Sequence, residues 1–110
     1  MESNMKLFIA SIAVVAGLTF AGSAISANMP ATAKKNGCTG CHAIYDNVVG
    51  PAWQAVAYMY NGDAAAADKL NTKIAKGGSG VWGSVPMPAQ PKLSDDNRHE
   101  LIAFILSLAK

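Results

Sequence analysis

The strongest hydrophobic pattern lies near the C-terminal end of the chain. Leu101, Phe104, Ile105 and Leu108 fall at i, i+3, i+4 and i+7, the buried stripe of an amphipathic helix. Ser94 stands ahead of that stripe as an N-cap, and Asp95 and Asp96 occupy the first turn, where the helix dipole favours negative charge. Three shorter helices are predicted upstream: Ala31 to Asn36, stopped by Gly37; Ala52 to Tyr60, ended by Asn61-Gly62; and Ala64 to Lys76, capped by Asp63. In the last of these Leu70 and Ile74 are four apart and face the core. Residues 77–90 differ in kind. Gly77, Gly78, Gly80 and Gly83 with Pro86 and Pro88 argue against any regular element, yet Val81, Trp82, Val85 and Met87 are apolar. A long loop with so many apolar residues is expected to lie on something other than water. No stretch alternates with the period of a strand, so the expected fold is a single all-α domain with long loops.

At the N-terminal end Lys6 precedes an apolar run from Leu7 to Ala21, followed by small residues through Ala27. A cationic start, an apolar stretch and a small-residue exit make a secretory signal peptide. The run is short against the ~20 residues that cross a bilayer, which argues against a retained membrane anchor. Residues 1–27 are assigned as a cleaved signal peptide, with Ala24 as the other candidate cleavage point, and 28–110 as the mature domain. No stable membrane insertion is expected after cleavage.

Composition adds exclusions. The chain is 51% apolar and 15% charged with a net charge of +2, and no basic cluster interleaves with aromatics, so a nucleic-acid partner is not expected. A domain as small as residues 28–110 buries too little surface to be secure on its own and calls for a staple, a metal or a cofactor.

The run Cys38-Thr39-Gly40-Cys41-His42 supplies a candidate. It is the pattern of covalent c-type haem attachment. Two cysteines three apart lie on one side of a helical turn, so both thiols can add to the vinyl groups of one porphyrin. The next residue then aims its imidazole at the iron. A thioredoxin-like dithiol would want a βαβ setting that this chain lacks. Structural zinc would want four protein ligands, and the sequence holds two cysteines and two histidines, with His99 on a different helix. A disulfide across so small a loop would stabilise little. His42 as an axial ligand needs a partner for its second ring nitrogen, for which a carbonyl from the Gly50-Pro51 break is the natural source.

For the opposite axial position the choices are methionine, histidine or an open site. Met87, held between Pro86 and Pro88, is the best candidate. Met59 is read as core filler, Met29 as too near the mature N-terminus to be ordered, and His99 as exposed on the last helix. Met opposite His raises the reduction potential and closes the iron to small ligands, which favours electron transfer. An open distal site would instead give a haem enzyme or sensor, and a small thiol–disulfide protein is the remaining rival.

The residues Cys41-His42-Ala43-Ile44, Val49-Gly50-Pro51-Ala52, Gly80-Val81-Trp82-Gly83, Val85-Pro86-Met87-Pro88 and Ser94-Asp95-Asp96 together resemble the small monohaem class I cytochromes c of Pseudomonas-type denitrifiers, the c-551/c-552 group. The resemblance covers nearly all of the mature domain. It implies the class I cytochrome c fold and one haem c held by Cys38 and Cys41, with His42 and Met87 as axial ligands. It further implies that the Pro51 carbonyl accepts from His42, that Trp82 bonds a haem propionate, and that Lys73 stands where an arginine often neighbours that propionate. Departures are also visible. Gln90 replaces an asparagine that usually contacts the methionine sulfur, the stretch Gln90 to Leu93 is one residue longer, and Ala33 replaces a larger apolar residue.

The resemblance therefore implies a monomeric periplasmic electron carrier rather than an enzyme. A membrane quinol-oxidising complex would be its donor, and a nitrite reductase or terminal oxidase its acceptor, as in denitrification. Its docking face is expected where the haem edge meets Gly40, Val48, Val49, Val85, Pro86 and Pro88, ringed by Lys34, Lys35, Lys76 and Lys92.

Overall fold

A computed structural model describes residues 27–110; the expected signal peptide, apart from Ala27, lies outside the described residues. Helix α1 (Ala31–Lys35) leads into a single 3₁₀ turn, Cys38–Gly40. Helices α2 (Trp53–Tyr60), α3 (Ala66–Lys76) and α4 (Asp95–Ser107) follow, so every helix expected from the sequence is present within two residues of its expected ends. Ser94 caps α4 as its side chain requires, its Oγ accepting from the Asn97 N–H at 3.1 Å. Asp63 acts one turn earlier than expected. Its carboxylate accepts from the Ala65 N–H at 2.8 Å and from Lys69 Nζ at 2.7 Å, organising the turn that leads into α3. The lysine first, and then that amide, hold the Asp63 carboxyl below its ordinary value.

One expectation is corrected. The glycine- and proline-rich stretch forms a small antiparallel hairpin, β1 (Gly78–Gly80) with β2 (Gly83–Met87), paired Gly78 to Met87 and Gly80 to Gly83 with an irregularity between. The glycines enable it rather than prevent it. Gly80 and Gly83 take φ of 114° and 108°, which lets a two-residue turn, Val81-Trp82, close the ribbon with Trp82 at its tip. Pro86 is tolerated because a two-stranded ribbon has only edge strands.

The core gathers where α4 lies across α1, α2 and α3. Leu101 and Ile105 are buried as the stripe predicts, while Phe104 and Leu108 are only partly so. Ile102, off the stripe, is 2% exposed, because helices on more than one side of α4 widen its buried face. Ala33 is fully buried in the same cluster. Its short side chain suits a close approach of α1 to α4, and the Thr32 hydroxyl reaches the Glu100 carboxylate at 3.0–3.1 Å across that contact. Arg98 ties the start of α4 to its surroundings: Nε donates to Asn71 Oδ1 of α3 at 2.8 Å, and the two terminal nitrogens to the Leu93 carbonyl at 2.6 Å and Asp95 Oδ1 at 2.9 Å. Two assignments among the methionines change. Met59 is half-exposed on the outer side of α2 and is not core filler, whereas Met29 packs against the core despite its position near the expected mature N-terminus. Among the described residues no helix is long and apolar enough to cross a membrane.

Candidate haem-binding site

A single cleft of about 420 Å³ brings the chemistry together. Its floor is apolar, made by Trp53 and Val56 of α2, Leu70 and Ile74 of α3, and Leu101 and Ile105 of α4. The 3₁₀ turn delivers Cys38 and Cys41 to one wall, with His42 immediately after. The hairpin lines the same cleft with Val81, Trp82, Val85 and Met87, and Lys73 of α3 lies beside Gly78. Every residue expected to hold the cofactor, Cys38, Cys41, His42, Pro51, Lys73, Trp82 and Met87, lines this one cleft. Of Met29, Met59 and Met87, only Met87 does so. His99 is exposed and lies elsewhere on α4.

The two thiols are free and part-buried. Burial pushes the Cys38 thiol above its ordinary value, and the neighbouring Cys41 adds to this, with a backbone hydrogen bond partly offsetting it. A redox dithiol works the other way, by lowering the pKa of its nucleophilic cysteine.

The geometry around His42 fixes its chemistry. Its Nδ1 lies 2.8 Å from the Pro51 carbonyl oxygen. A carbonyl can only accept, so Nδ1 carries a proton, and in the neutral ring the lone pair is then on Nε2, where a metal can take it. The loop that positions Pro51 is pinned at both ends. The Val49 and Gly50 amides donate to the Cys41 carbonyl at 3.2 and 2.8 Å, and Asn47 Oδ1 accepts from the Ala52 N–H at 2.8 Å. Gly50 is essential to the arrangement, since a Cβ there would lie 2.9 Å from His42 Nδ1 and 3.0 Å from Nε2. On another side the ring meets Trp53, with centroids 5.9 Å apart and planes tilted by 39°. Asn47, Gly50 and Trp53 are not part of the attachment motif; Asn47 and Gly50 carry a sequence signal as turn residues, whereas Trp53 carries none beyond apolarity.

Met87 ends β2 and is half-buried against the core. Gln90, which follows, donates its backbone N–H to the Ile74 carbonyl at 3.0 Å and turns its side-chain amide toward the Pro88 carbonyl at 3.4 Å. The donor set fits a haem: two thiols, an imidazole whose Nδ1 is committed to a carbonyl, and a thioether line one cleft with an apolar floor.

The chain is similar to known proteins along most of its described length. The cytochrome c family model matches residues 26–109. Cytochrome c-552 of Hydrogenobacter thermophilus is 43% identical over 103 residues, covering 94% of this chain and 97% of its own. Cytochrome c-551 of Allochromatium vinosum is 46% identical over 76 residues, covering 69% of this chain and 81% of its own. The crystal structure of Nitrosomonas europaea cytochrome c552 superposes with a TM-score of 0.68 at 44% identity, over 70% of this chain and 95% of that one.

Proposed function

The chain belongs to the cytochrome c family, a small haem c electron carrier of class I fold, and on that premise we propose that His42 and Met87 are the two axial ligands of its iron. The observation that carries the assignment is the 2.8 Å contact from His42 Nδ1 to the Pro51 carbonyl, which commits Nδ1 to that acceptor and leaves Nε2 as the ring nitrogen available to a metal, in the cleft that Met87 also lines. The bound haem supplies one-electron chemistry by cycling between ferric and ferrous iron. The protein's residues do the rest. Cys38 and Cys41 would hold the group covalently, through thioethers to its two vinyl groups. The Pro51 carbonyl keeps the proton on Nδ1. Trp82 at the hairpin tip and Lys73 on α3 are the proposed partners of a haem propionate, an indole N–H donor and a cation; lysine keeps the charge of an arginine without its planar fork. The apolar floor would keep water from the iron, and the Met87 thioether would raise the potential and exclude small ligands.

We also assign residues 1–27 as a signal peptide removed on export, and the periplasm as the working compartment, from the Lys6 and Leu7–Ala21 pattern. In that compartment a quinol-oxidising membrane complex would reduce the monomeric carrier and a nitrite reductase or terminal oxidase would oxidise it, in keeping with the denitrifier-type sequence pattern.

Two experiments test this. In the ferric protein the weak near-infrared sulfur-to-iron band should be present; Met87→Ala should abolish it and lower the potential, and Met59→Ala should leave both unchanged. Loss of the band in Met59→Ala with retention in Met87→Ala would overturn the assignment. The second concerns docking. Val49 and Val85 line the cleft, and Lys34, Lys35, Lys76 and Lys92 are exposed on the surface. An apolar centre with a charged rim suits brief encounters. Val49→Glu should slow electron exchange with the physiological partner, on the order of tenfold from one charge placed in an apolar contact, with spectrum and potential nearly unchanged. Stopped-flow exchange at the wild-type rate would remove Val49 from the docking face.

A further inference from the structure

Three neighbours confine the His42 imidazole, and they do different things. The Pro51 carbonyl, 2.8 Å from Nδ1, fixes which nitrogen carries the proton and where that N–H points. A bond at one ring atom still lets the ring rock about the bond's own axis. Gly50 limits this by close approach, as its backbone leaves no room even for a methyl against Nδ1 and Nε2. Trp53 supplies the remaining wall, an indole with its centroid 5.9 Å from the imidazole's, inside the range of aromatic contact.

Trp53 is itself held firmly. It is 4% exposed, and its backbone N–H donates to the Ala43 carbonyl at 3.0 Å. Its ring meets Phe104 of α4 nearly edge-on, with centroids 6.0 Å apart and planes 65° apart. His42, Trp53 and Phe104 therefore make one continuous aromatic chain from the haem motif to the C-terminal helix. A wall that needed only to be apolar could be any aliphatic residue. A large flat ring, buried and braced edge-on by a second ring, presents a surface of fixed orientation.

We propose that Trp53 is a positioning residue that sets the plane of the His42 imidazole, braced by Phe104 from α4. The proposal rests on His42 being the axial ligand. In a low-spin ferric haem the plane of an axial imidazole helps select the iron orbital that holds the unpaired electron. It thereby influences which porphyrin edges carry spin density. Trp53 would thus tune how the unpaired electron is distributed over the porphyrin.

The test uses the haem-loaded protein in four forms: wild type, Trp53→Phe, Trp53→Leu and Ile102→Ala. Ile102 is buried on α4 and does not line the cleft, so its variant loses core packing without loss of the indole wall. Proton NMR of the ferric proteins reads the four haem-methyl resonances, and thermal melts read stability. Trp53→Leu should change the spread and order of the methyl shifts, Trp53→Phe should move them part of the way in the same sense, and Ile102→Ala should lose stability while keeping the wild-type pattern. A wild-type methyl pattern in Trp53→Leu would overturn the proposal. If that variant does not fold, a wild-type pattern in Trp53→Phe does the same. A methyl pattern that moves equally in Ile102→Ala would also overturn it, by reducing Trp53 to general packing. Failure of the ligation itself has a separate signature: a wild-type ferric spectrum without the strongly shifted methyl signal of an iron-bound methionine, or without a low-spin haem, would overturn both together.

Discussion

Prevented from attaching haem by the double substitution Cys38→Ala and Cys41→Ala, the protein is expected to lose its cooperative fold. Among the described residues Leu101 is the only large side chain buried to below 2% exposure, so the protein's own core is thin. Domains of this size draw only about 3–5 kcal/mol from such a core before a staple is added. The hairpin is weaker still. Its strands are three and five residues long, and a two-stranded ribbon of that kind is marginal by itself in water. Its apolar residues Val81, Trp82 and Val85 line the cleft, so they are stabilised by what the cleft holds. Binding to the folded state alone converts directly into folding free energy. The haem-free variant should show less than about half the wild-type far-UV helix signal and no cooperative melt. A sharp thermal transition with native helix content would show that the chain folds without its cofactor.

Gly50→Ala is expected to be the most damaging single substitution that leaves the attachment motif intact. The added methyl would lie 2.9 Å from His42 Nδ1 and 3.0 Å from Nε2, closer than carbon normally approaches a ring, and still closer to Cε1. Relief requires moving either the imidazole or the loop. Moving the loop strains the amides of Val49 and Gly50 on the Cys41 carbonyl, and moving either one breaks the contact of Nδ1 with the Pro51 carbonyl. Overpacking together with a lost hydrogen bond costs about 2–4 kcal/mol. In a domain this small that lowers the melting temperature by roughly 10–25 °C. The potential should fall as well, because an imidazole without its acceptor is a differently tuned ligand. Wild-type melting in Gly50→Ala would mean that the loop yields at no cost.

The sequence made the helices legible because each is punctuated by a residue with one physical use. Gly37 and Asn61-Gly62 stop helices, and Ser94 starts one with its hydroxyl on the Asn97 amide. The attachment motif was legible because its spacing is itself the chemistry, and Met87 because two prolines flank it; among the described residues it is the one methionine that lines the cleft. The hairpin was not legible. Its glycines read as breakers along the chain, whereas their positive φ values shape the turn and the bulge of the ribbon, a property that appears only once the strands pair. Met59 was misplaced for a related reason. In a short helix, one turn decides which side faces in, and α2 buries Trp53, Val56 and Ala57 instead. Trp53 gave no signal beyond apolarity, since its contact with His42 joins two segments whose approach is set by the loop between them.

Haem carriage by His42 and Met87 is tested most directly by a spectroelectrochemical titration of the intact haem protein, followed in the near infrared. One reversible one-electron wave is expected, with the sulfur-to-iron band present in every ferric spectrum and lost in step with reduction. The iron should take up no added azide or cyanide at low millimolar concentration on the time scale of the scan. A ferric protein without that band, or one that binds those ligands at once, would contradict closed His42/Met87 ligation and point to an open iron instead.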